Sequence, residues 1–484
     1  MYLKKIEIRN IKCFSTLVID FAEAEGTRLW TTIFGKNGLG KSTLLQAIGA
    51  ILAGPSAVRE LIPVAEGWVK RDQLYGEIIA ELIWTEGDAL PPISDMGRPK
   101  TRMPYTIRYI VTGEDPNRLP EERFLPERLS YTVPTLVPWS GEGSPKERGD
   151  LTKDLKRLQQ TAYAEGKRGW LACGYGPFRR LSGGGQDADR ILYSERISAR
   201  FVTLFREDAA LTNATEWLLR LHNTARENDK NSERALEYIK SAFAKDLLPE
   251  PCELIVNARA VYLKIGARQP VRFNDLSDGY RSMLAFGIDL MRWQLNSFPE
   301  TEKPSHAAGV VLIDELDAHL HPDWQRKIGF WLREKFPKIQ FIVATHSPFL
   351  AQVVDADQPE LLRTSSENHR PKSNIVLKQT NEGVIADTDV EPVQGLSIDQ
   401  ILQTELFDME SLRSPITEKK LNTHEKLHRK KSRERLTVEE QKEYEQLNLW
   451  RENLSLLSNP DERQIEETLR DAINRQREEL KELE

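Results

Sequence analysis

Gly35, Gly38 and Gly40 stand in one short loop ahead of Lys41 and Ser42, inside the run LWTTIFGKNGLGKSTLL at 29–45. Glycines at that spacing let the backbone turn tightly enough to aim successive N–H groups at one anion. Lys41 could neutralise the terminal oxygens of a phosphate chain, and the Ser42 hydroxyl could serve Mg²⁺. Lys36, Asn37, Leu39 and Thr43 complete the phosphate-contacting run. Such a loop works only between a buried strand and a helix N-terminus, whose dipole adds positive potential. The apolar residues from Leu29 to Phe34 predict that strand, and the apolar pattern from Ser42 to about Leu52 predicts the helix, ending at Gly54-Pro55.

Asp314 and Glu315 follow the apolar run Val310 to Ile313. An acid at the end of a buried strand beside the loop's own strand can hold Mg²⁺, and the next acid can orient and deprotonate an attacking water. We assign Asp314 to the metal and Glu315 to the base. A second strand, Phe341 to Ala344, ends at His346, which could exchange a hydrogen bond with a γ-phosphate or water or be purely structural. Leu276, Ser277, Asp278 and Gly279 precede a long apolar-striped helix. Ser277 could contact a phosphate there or simply cap the helix. His319 and His321 with Asp317 give a weak metal pattern.

Alternating strands and helices predict a parallel sheet whose strand ends carry the chemistry. Strands are expected near Leu3 to Ile8, Leu17 to Phe21, Gly76 to Trp84 and Tyr105 to Val111, with a hairpin over 252–266. A Pro- and Gly-rich stretch between residues 85 and 170 reads as a surface insertion with long loops. Residues 212–248 carry helical spacing through Trp217, Leu218, Leu221, Leu236, Ile239 and Phe243.

The chain has 484 residues, formal net charge −6, 29% charged and 39% hydrophobic residues. That mild acidity argues against wholesale coating of nucleic acid. No membrane-length apolar run occurs, and MYLKKIEIRN lacks the apolar core of a secretory signal, so a cytoplasmic protein is expected. Cys13, Cys173 and Cys252 are too scattered for a disulfide framework or a zinc site.

The glycine loop, LSDGYRS, VVLIDELD and ATHSP, in that order, resemble ABC-type ATPases of the SMC and RecF group over roughly residues 1–355. The resemblance implies that Ser277 and Gly279 form a signature motif meeting ATP held by another subunit. It also implies that Asp317 lies in a D-loop across that interface and that His346 is the switch histidine. A homodimer or higher even-numbered oligomer follows, with ATP and Mg²⁺ as cofactors. LSGGGQ at 181–186 matches the transporter-type signature by letters, but DADR follows it where an apolar helix would be needed. Gln73 is a weak candidate for the Q-loop.

The missing heptads and hook exclude a chromosome-bridging arm. WVKRDQ, GYGPFRR, LIDELDAHLHPDWQ, FPKIQFIVATHSP and QGLSIDQILQTELFDMESLRSP resemble the anti-phage ATPases of Septu and retron systems. That likeness implies a partner effector nuclease of the HNH, PtuB-like type, with a reverse transcriptase and its non-coding RNA or DNA in the retron case. A RecF-like DNA-binding repair ATPase and a slow-turnover scaffold remain the alternatives.

The expected fold is an α/β P-loop NTPase with a two-lobed ABC-type head at 1–355, including a helical signature lobe at about 187–295. A linker with small strands at 356–394 leads to a charged helical region at 395–484 for assembly or docking. There, HEKLHRKKSRER could meet phosphates or form a solvated helix face. Ile398, Ile401, Leu402, Leu406 and Phe407 form an apolar stripe that could dock a partner or staple the chain to itself.

Overall fold

The computed structural model describes residues 1–23, 26–71, 73–85, 88, 105–112, 136–139, 159–164, 170–179, 181, 185–194, 196–211, 213–244, 247, 250–299, 304–353 and 373–455. They fall into two compact units, Met1–Phe407 and Asp408–Glu484.

The first unit is a P-loop NTPase fold. Strands β1 (Tyr2–Ile11) and β2 (Phe14–Asp20) alternate buried and solvated side chains, as an antiparallel sheet with one wet face requires. A small hairpin, β3 (Ala22–Glu23) and β4 (Gly26–Thr27), leads to β5 (Trp30–Gly35), which is apolar and buried almost throughout. After β6 (Tyr75–Ile83), β7 (Tyr105–Thr112) and β8 (Leu136–Trp139), the first sheet is complete in the order β2-β1-β6-β7-β8.

The second sheet positions the chemistry. Strand β9 is Ala172–Tyr175. A three-stranded sheet of β10 (Cys252–Val256), β11 (Val261–Ile265) and β12 (Val271–Arg272) comes next in sequence, confirming the hairpin expected over 252–266. Then follow β13 (Gly309–Ile313), β14 (Ile339–Ala344), β15 (Asn374–Thr380) and β16 (Gly383–Asp387). The sheet runs β16-β15-β5-β14-β13-β9, parallel except for the edge strand β16. Both faces of its central strands are buried, which is why β13 is wholly apolar and β14 nearly so, its one polar residue, Gln340, being bonded to the Leu3 backbone.

Four expectations need correction, and one is met in detail. The acid-bearing strand β13 does not lie beside β5, because β14 is inserted between them. The helical run after the glycine loop, Lys41–Leu61, consists of two helices that meet at a break at Gly54, where the sequence places the stop. Gly54 kinks it at φ 82°, and Pro55 has no N–H for the Ile51 carbonyl. The Tyr163 hydroxyl donates to that carbonyl at 2.6 Å, so the broken turn remains satisfied. Tyr163 also corrects the surface reading of 85–170: Thr161, Ala162 and Tyr163 are buried, and β8 pairs with β7. The rest of that stretch lies largely outside the described residues.

The helix Asp278–Ser297 is buried all round from Met283 to Gln294 rather than amphipathic. Finally, the head does not end at residue 355. Strand β15 pairs directly with β5, and Ile401 and Leu406 are buried with Phe34, Val376 and Val393, partly covered by Ile398 and Phe407. The apolar stripe at 398–407 is therefore an internal staple, not a docking face.

The second unit is a helix pair, Pro415–Lys431 and Val438–Ser455, built around Leu427, Tyr444 and Leu447. The basic run contributes to this small core, since His424 and His428 stack on Tyr444 and Lys430 pairs with Glu440 at 2.6 Å.

Candidate active site

Parallel register brings the sequence-predicted groups to one edge. Leu377 lies opposite Gly35, Ala344 opposite Ile33, and Ile313 opposite both Val343 and Tyr175. Gly35, Thr345, Asp314 and Gly176 thus leave the sheet together at its carboxyl end, where α/β folds bind ligands.

The glycine loop has the predicted backbone. Gly35, Gly38 and Gly40 adopt φ of 146°, 83° and 89°. A Cβ on Gly40 would fall 2.7 Å from Phe14 Cζ, and one on Gly35 would fall 3.0 Å from the Leu377 carbonyl oxygen. Lys36, Asn37 and Gly38 are exposed at the tip, Leu39 and Thr43 half-buried. Lys41 folds back to donate to the carbonyls of Gly35 at 2.8 Å and Lys36 at 3.4 Å. Burial lowers its pKa, while Asp314, Glu315 and Asp317 act to raise it.

Asp314 is buried at the end of β13, its N–H donating to the Tyr175 carbonyl at 2.8 Å. Desolvation raises its carboxyl pKa against the stabilising influence of the neighbouring Ser42 hydroxyl. Its Oδ1 is buried without a hydrogen-bond partner. A buried carboxylate oxygen left free beside a serine hydroxyl fits a hard divalent cation. Ser42 and Asp314 are the residues that would hold Mg²⁺. Glu315 is half-buried with φ 48°, a left-handed conformation that side chains rarely adopt.

Arg179, from the GYGPFRR run, supplies a contact that the sequence reading missed. Its guanidinium donates to the backbone carbonyls of Asp314 at 3.1 Å, Glu315 at 2.8 Å and Leu316 at 3.4 Å. It also lies 5.8 Å over the ring of Phe286 in the helix Asp278–Ser297. Burial pushes its pKa down to about 10, even with three carboxylates nearby. The residue types of that run show only a strand-like start and a pair of arginines.

The segments after β13 and β14 are tied together. Thr345 Oγ1 donates to Asp317 Oδ1, Ser347 N–H to Thr345 Oγ1 at 2.9 Å, and Ser347 Oγ to Gln325 Oε1 at 2.7 Å. His346 is exposed at the end of this network. Desolvation and Lys41 lower its pKa, opposed by Asp317, Glu315 and Asp314. Lys41, the three acids and His346 therefore share one electrostatic neighbourhood.

Ser277 occupies the N-cap position of its helix, yet its side chain makes no capping hydrogen bond. Ser277 and Asp278 are exposed, whereas Leu276 is buried beneath them. Gly279 faces Trp324, whose Cζ3 would stand 2.8 Å from an added Cβ, and Tyr280 meets the same ring edge-on at 4.5 Å. The turn at Ser277 and the helix Pro322–Lys335 are thus packed together through Trp324.

Other candidates resolve differently. His321 caps the helix Pro322–Lys335 by accepting from Asp323 N–H at 3.3 Å, and His319 is exposed at φ 64°. Gln73 sits in an exposed turn before β6, with its N–H bonded to the Lys70 carbonyl at 3.1 Å. Of LSGGGQ, residues 182–184 lie outside those described. Cys173 and Cys252 are buried free thiols, pushed up to about 12 and about 11 by desolvation.

An AAA domain family (AAA_21) matches residues 170–351, and an AAA ATPase domain family (AAA_15) matches residues 1–66. The Septu protein PtuA of Bacillus mycoides (strain KBAB4) is 26% identical over 414 residues, covering 84% of this chain and 45% of that protein. The Retron Vc95 probable ATPase of Vibrio cholerae is 35% identical over 123 residues, 25% of this chain and 24% of that protein. This chain therefore spans less than half the length of either relative. An Smc head domain with an extended coiled coil from Pyrococcus furiosus, solved with the C-terminal domain of ScpA, aligns over 80% of this chain and 96% of that one. Its TM-score is 0.42 at 18% identity. Two segments of the chain thus match AAA-type ATPase domain families, and the chain is similar to Septu PtuA and retron ATPases.

Proposed function

We propose that this chain is the ATP-binding and hydrolysing subunit of a bacterial anti-phage complex of the Septu or retron-linked type. The observation that carries the ATPase reading is the meeting of Lys41, Ser42, Asp314 and Glu315 at one sheet edge, with one Asp314 oxygen buried and free. In this reading the amides of Gly35 to Thr43 cradle the phosphates, and Lys41 leaves its loop carbonyls for β/γ oxygens. Ser42 and Asp314 hold Mg²⁺, which when bound offsets the charge of the phosphates. Glu315 accepts the proton of the attacking water, and His346 contacts the γ-phosphate.

Two heads would meet face to face, with Leu276 to Gly279 of each addressing ATP on the other and Asp317 at the same interface. The uncommitted side chain of Ser277 supports this role. The similarity to Septu PtuA and retron ATPases supports a partner of the HNH nuclease class, with a reverse transcriptase and its nucleic acid in the retron case. ATP occupancy would control that effector.

The test is Glu315→Gln in the full chain. Retained ATP binding, turnover lowered at least ~100-fold and a longer-lived ATP-dependent dimer by light scattering are expected. Wild-type turnover in this variant would remove Glu315 from the role of base. Co-expression with the flanking genes, followed by identification of co-purifying proteins, tests the defence reading separately. A chain that elutes alone as an ATP-dependent dimer and binds DNA only when ATP is present would favour the repair reading instead.

A further inference from the structure

A cavity of about 710 Å³ opens in the signature lobe and shares no lining residue with the glycine loop. Three separate segments wall it. The helix Ala214–Arg226 contributes His222 and Arg226, the turn between β10 and β11 contributes Arg259, and β12 with the residues after it contributes Arg272 and Asn274. No residue lining the cavity is acidic.

The arginines of the segments that form the cavity and of those next to them divide into two sets. Arg220 pairs with Glu216 at 2.5 Å, Arg268 with Glu250 at 2.8 Å, and Arg281 with Asp278. Arg226, Arg259 and Arg272 are exposed, and none has an ion-pair partner among the described residues. Three guanidiniums around one concavity with no ion-pair partner among the described residues maintain a positive potential there.

Arg259 is held in place rather than left on a loose loop. The Asn257 side chain accepts from the N–H groups of Arg259 and Ala260, both at 2.9 Å, fixing the turn. Desolvation, and after it Arg226 and Lys240, keep the His222 pKa below its ordinary value. Tyr262 lines the same cavity, half-buried, and offers an aromatic ring beside the guanidiniums.

We infer that this cavity binds the phosphodiester backbone of a single-stranded nucleic acid, with Arg226, Arg259 and Arg272 on successive phosphates and Tyr262 beneath a base. Guanidiniums distributed over three segments match a chain of phosphates better than one compact anion, and an aromatic beside them is the usual platform for an unpaired base. The site does not depend on the ATPase reading. It is, however, continuous with the signature turn: Phe273–Asp275 leads directly into Leu276, and the Asn274 carbonyl accepts from Arg281 at 3.2 Å.

The experiment is fluorescence anisotropy of a fluorescein-labelled single-stranded DNA oligonucleotide with the full chain across a KCl series. Wild type should bind with steep salt dependence. R226Q/R259Q/R272Q should lose at least ~10-fold in affinity and flatten the log–log salt slope by about 2, at ~0.7 for each phosphate no longer neutralised. R220Q/R268Q, which removes two ion-paired arginines, should leave affinity and slope in place, and circular dichroism should show both variants folded. K41A should bind the oligonucleotide as wild type does, which separates this site from the nucleotide site. The inference is overturned if wild type does not bind at low salt, or if the triple variant binds like wild type. It is also overturned if the triple change in a K41A background abolishes binding of a fluorescent ATP analogue while sparing the oligonucleotide, because the cavity would then be a small-anion site.

Discussion

The Arg179 guanidinium donates to the backbone carbonyl of Glu315 at 2.8 Å, and the same fork reaches the carbonyls of Asp314 and Leu316. One side chain therefore clamps the turn where the proposed metal ligand and the proposed base leave the sheet. Because Arg179 also lies over Phe286, it joins that turn to the helix Asp278–Ser297.

If this clamp positions the base, Arg179→Met should lower kcat for ATP about 10–100-fold, the scale expected for a misplaced catalytic group, with KM nearly unchanged. Arg179→Lys should fail to restore it, because one ammonium cannot reproduce a planar fork on three carbonyls. Steady-state kinetics alongside calorimetric ATP binding would separate this from lost affinity. An equal loss in kcat and binding would instead mean that the loop as a whole had collapsed.

Gly40→Ala tests the loop's geometry. The substitution must adopt φ near 89° and seat a methyl group 2.7 Å from Phe14 Cζ. Destabilisation of about 1–3 kcal/mol, the usual range for forced backbone strain, and loss of ATP binding are expected. Chemical denaturation and titration with a fluorescent nucleotide measure the two effects. Gly38→Ala carries the left-handed strain without the collision, since no atom lies within 4 Å of its added Cβ. It should therefore be the milder change.

Asp314 yields a pH prediction. Its folded pKa is raised by burial, whereas in the unfolded chain it titrates near ~3.9. Between those values the native state binds more protons than the unfolded state, so its contribution to stability falls as pH rises through that window. Above the folded pKa the full penalty of a buried charge persists. Asp314→Asn should accordingly raise the melting temperature of the nucleotide-free protein at neutral pH, and the gain should vanish once acidification passes below the ordinary aspartate range. Differential scanning fluorimetry of both proteins across pH decides this. A variant less stable than wild type at neutral pH would show that the carboxylate is stabilised by partners other than Ser42.

The local parts of the site were legible and the non-local parts were not. Gly35 to Ser42 could be read because backbone turn, cation and hydroxyl are contiguous. Asp314-Glu315 could be read because an apolar strand ending in two acids has few structural uses. Nothing local reveals that β14 separates β13 from β5, since strand order in a parallel sheet is set by pairings remote in sequence. Arg179 was invisible for a similar reason. Its partners are backbone carbonyls far along the chain, and carbonyls leave no signature in residue type. The stripe at 398–407 showed its period but not what it covers, and the structure places it on Phe34 and Val376.

The kinked helix after the loop gives the last prediction. Gly54-Pro55 reads as a stop and the helix does break there; Tyr163 supplies the donor that Pro55 lacks, and a second helical segment follows. Tyr163→Phe keeps the ring and removes only the hydroxyl, leaving the Ile51 carbonyl buried and unsatisfied. A loss of about 1–3 kcal/mol, the cost of an orphaned buried polar group, is expected in urea denaturation. Because the kink lies well past Lys41 and Ser42, ATP affinity measured below the unfolding transition should be unchanged. If stability is unaffected, water must be reaching that carbonyl, and the second helical segment would then be held by packing of Ala57, Val58 and Leu61 rather than by the hydrogen bond.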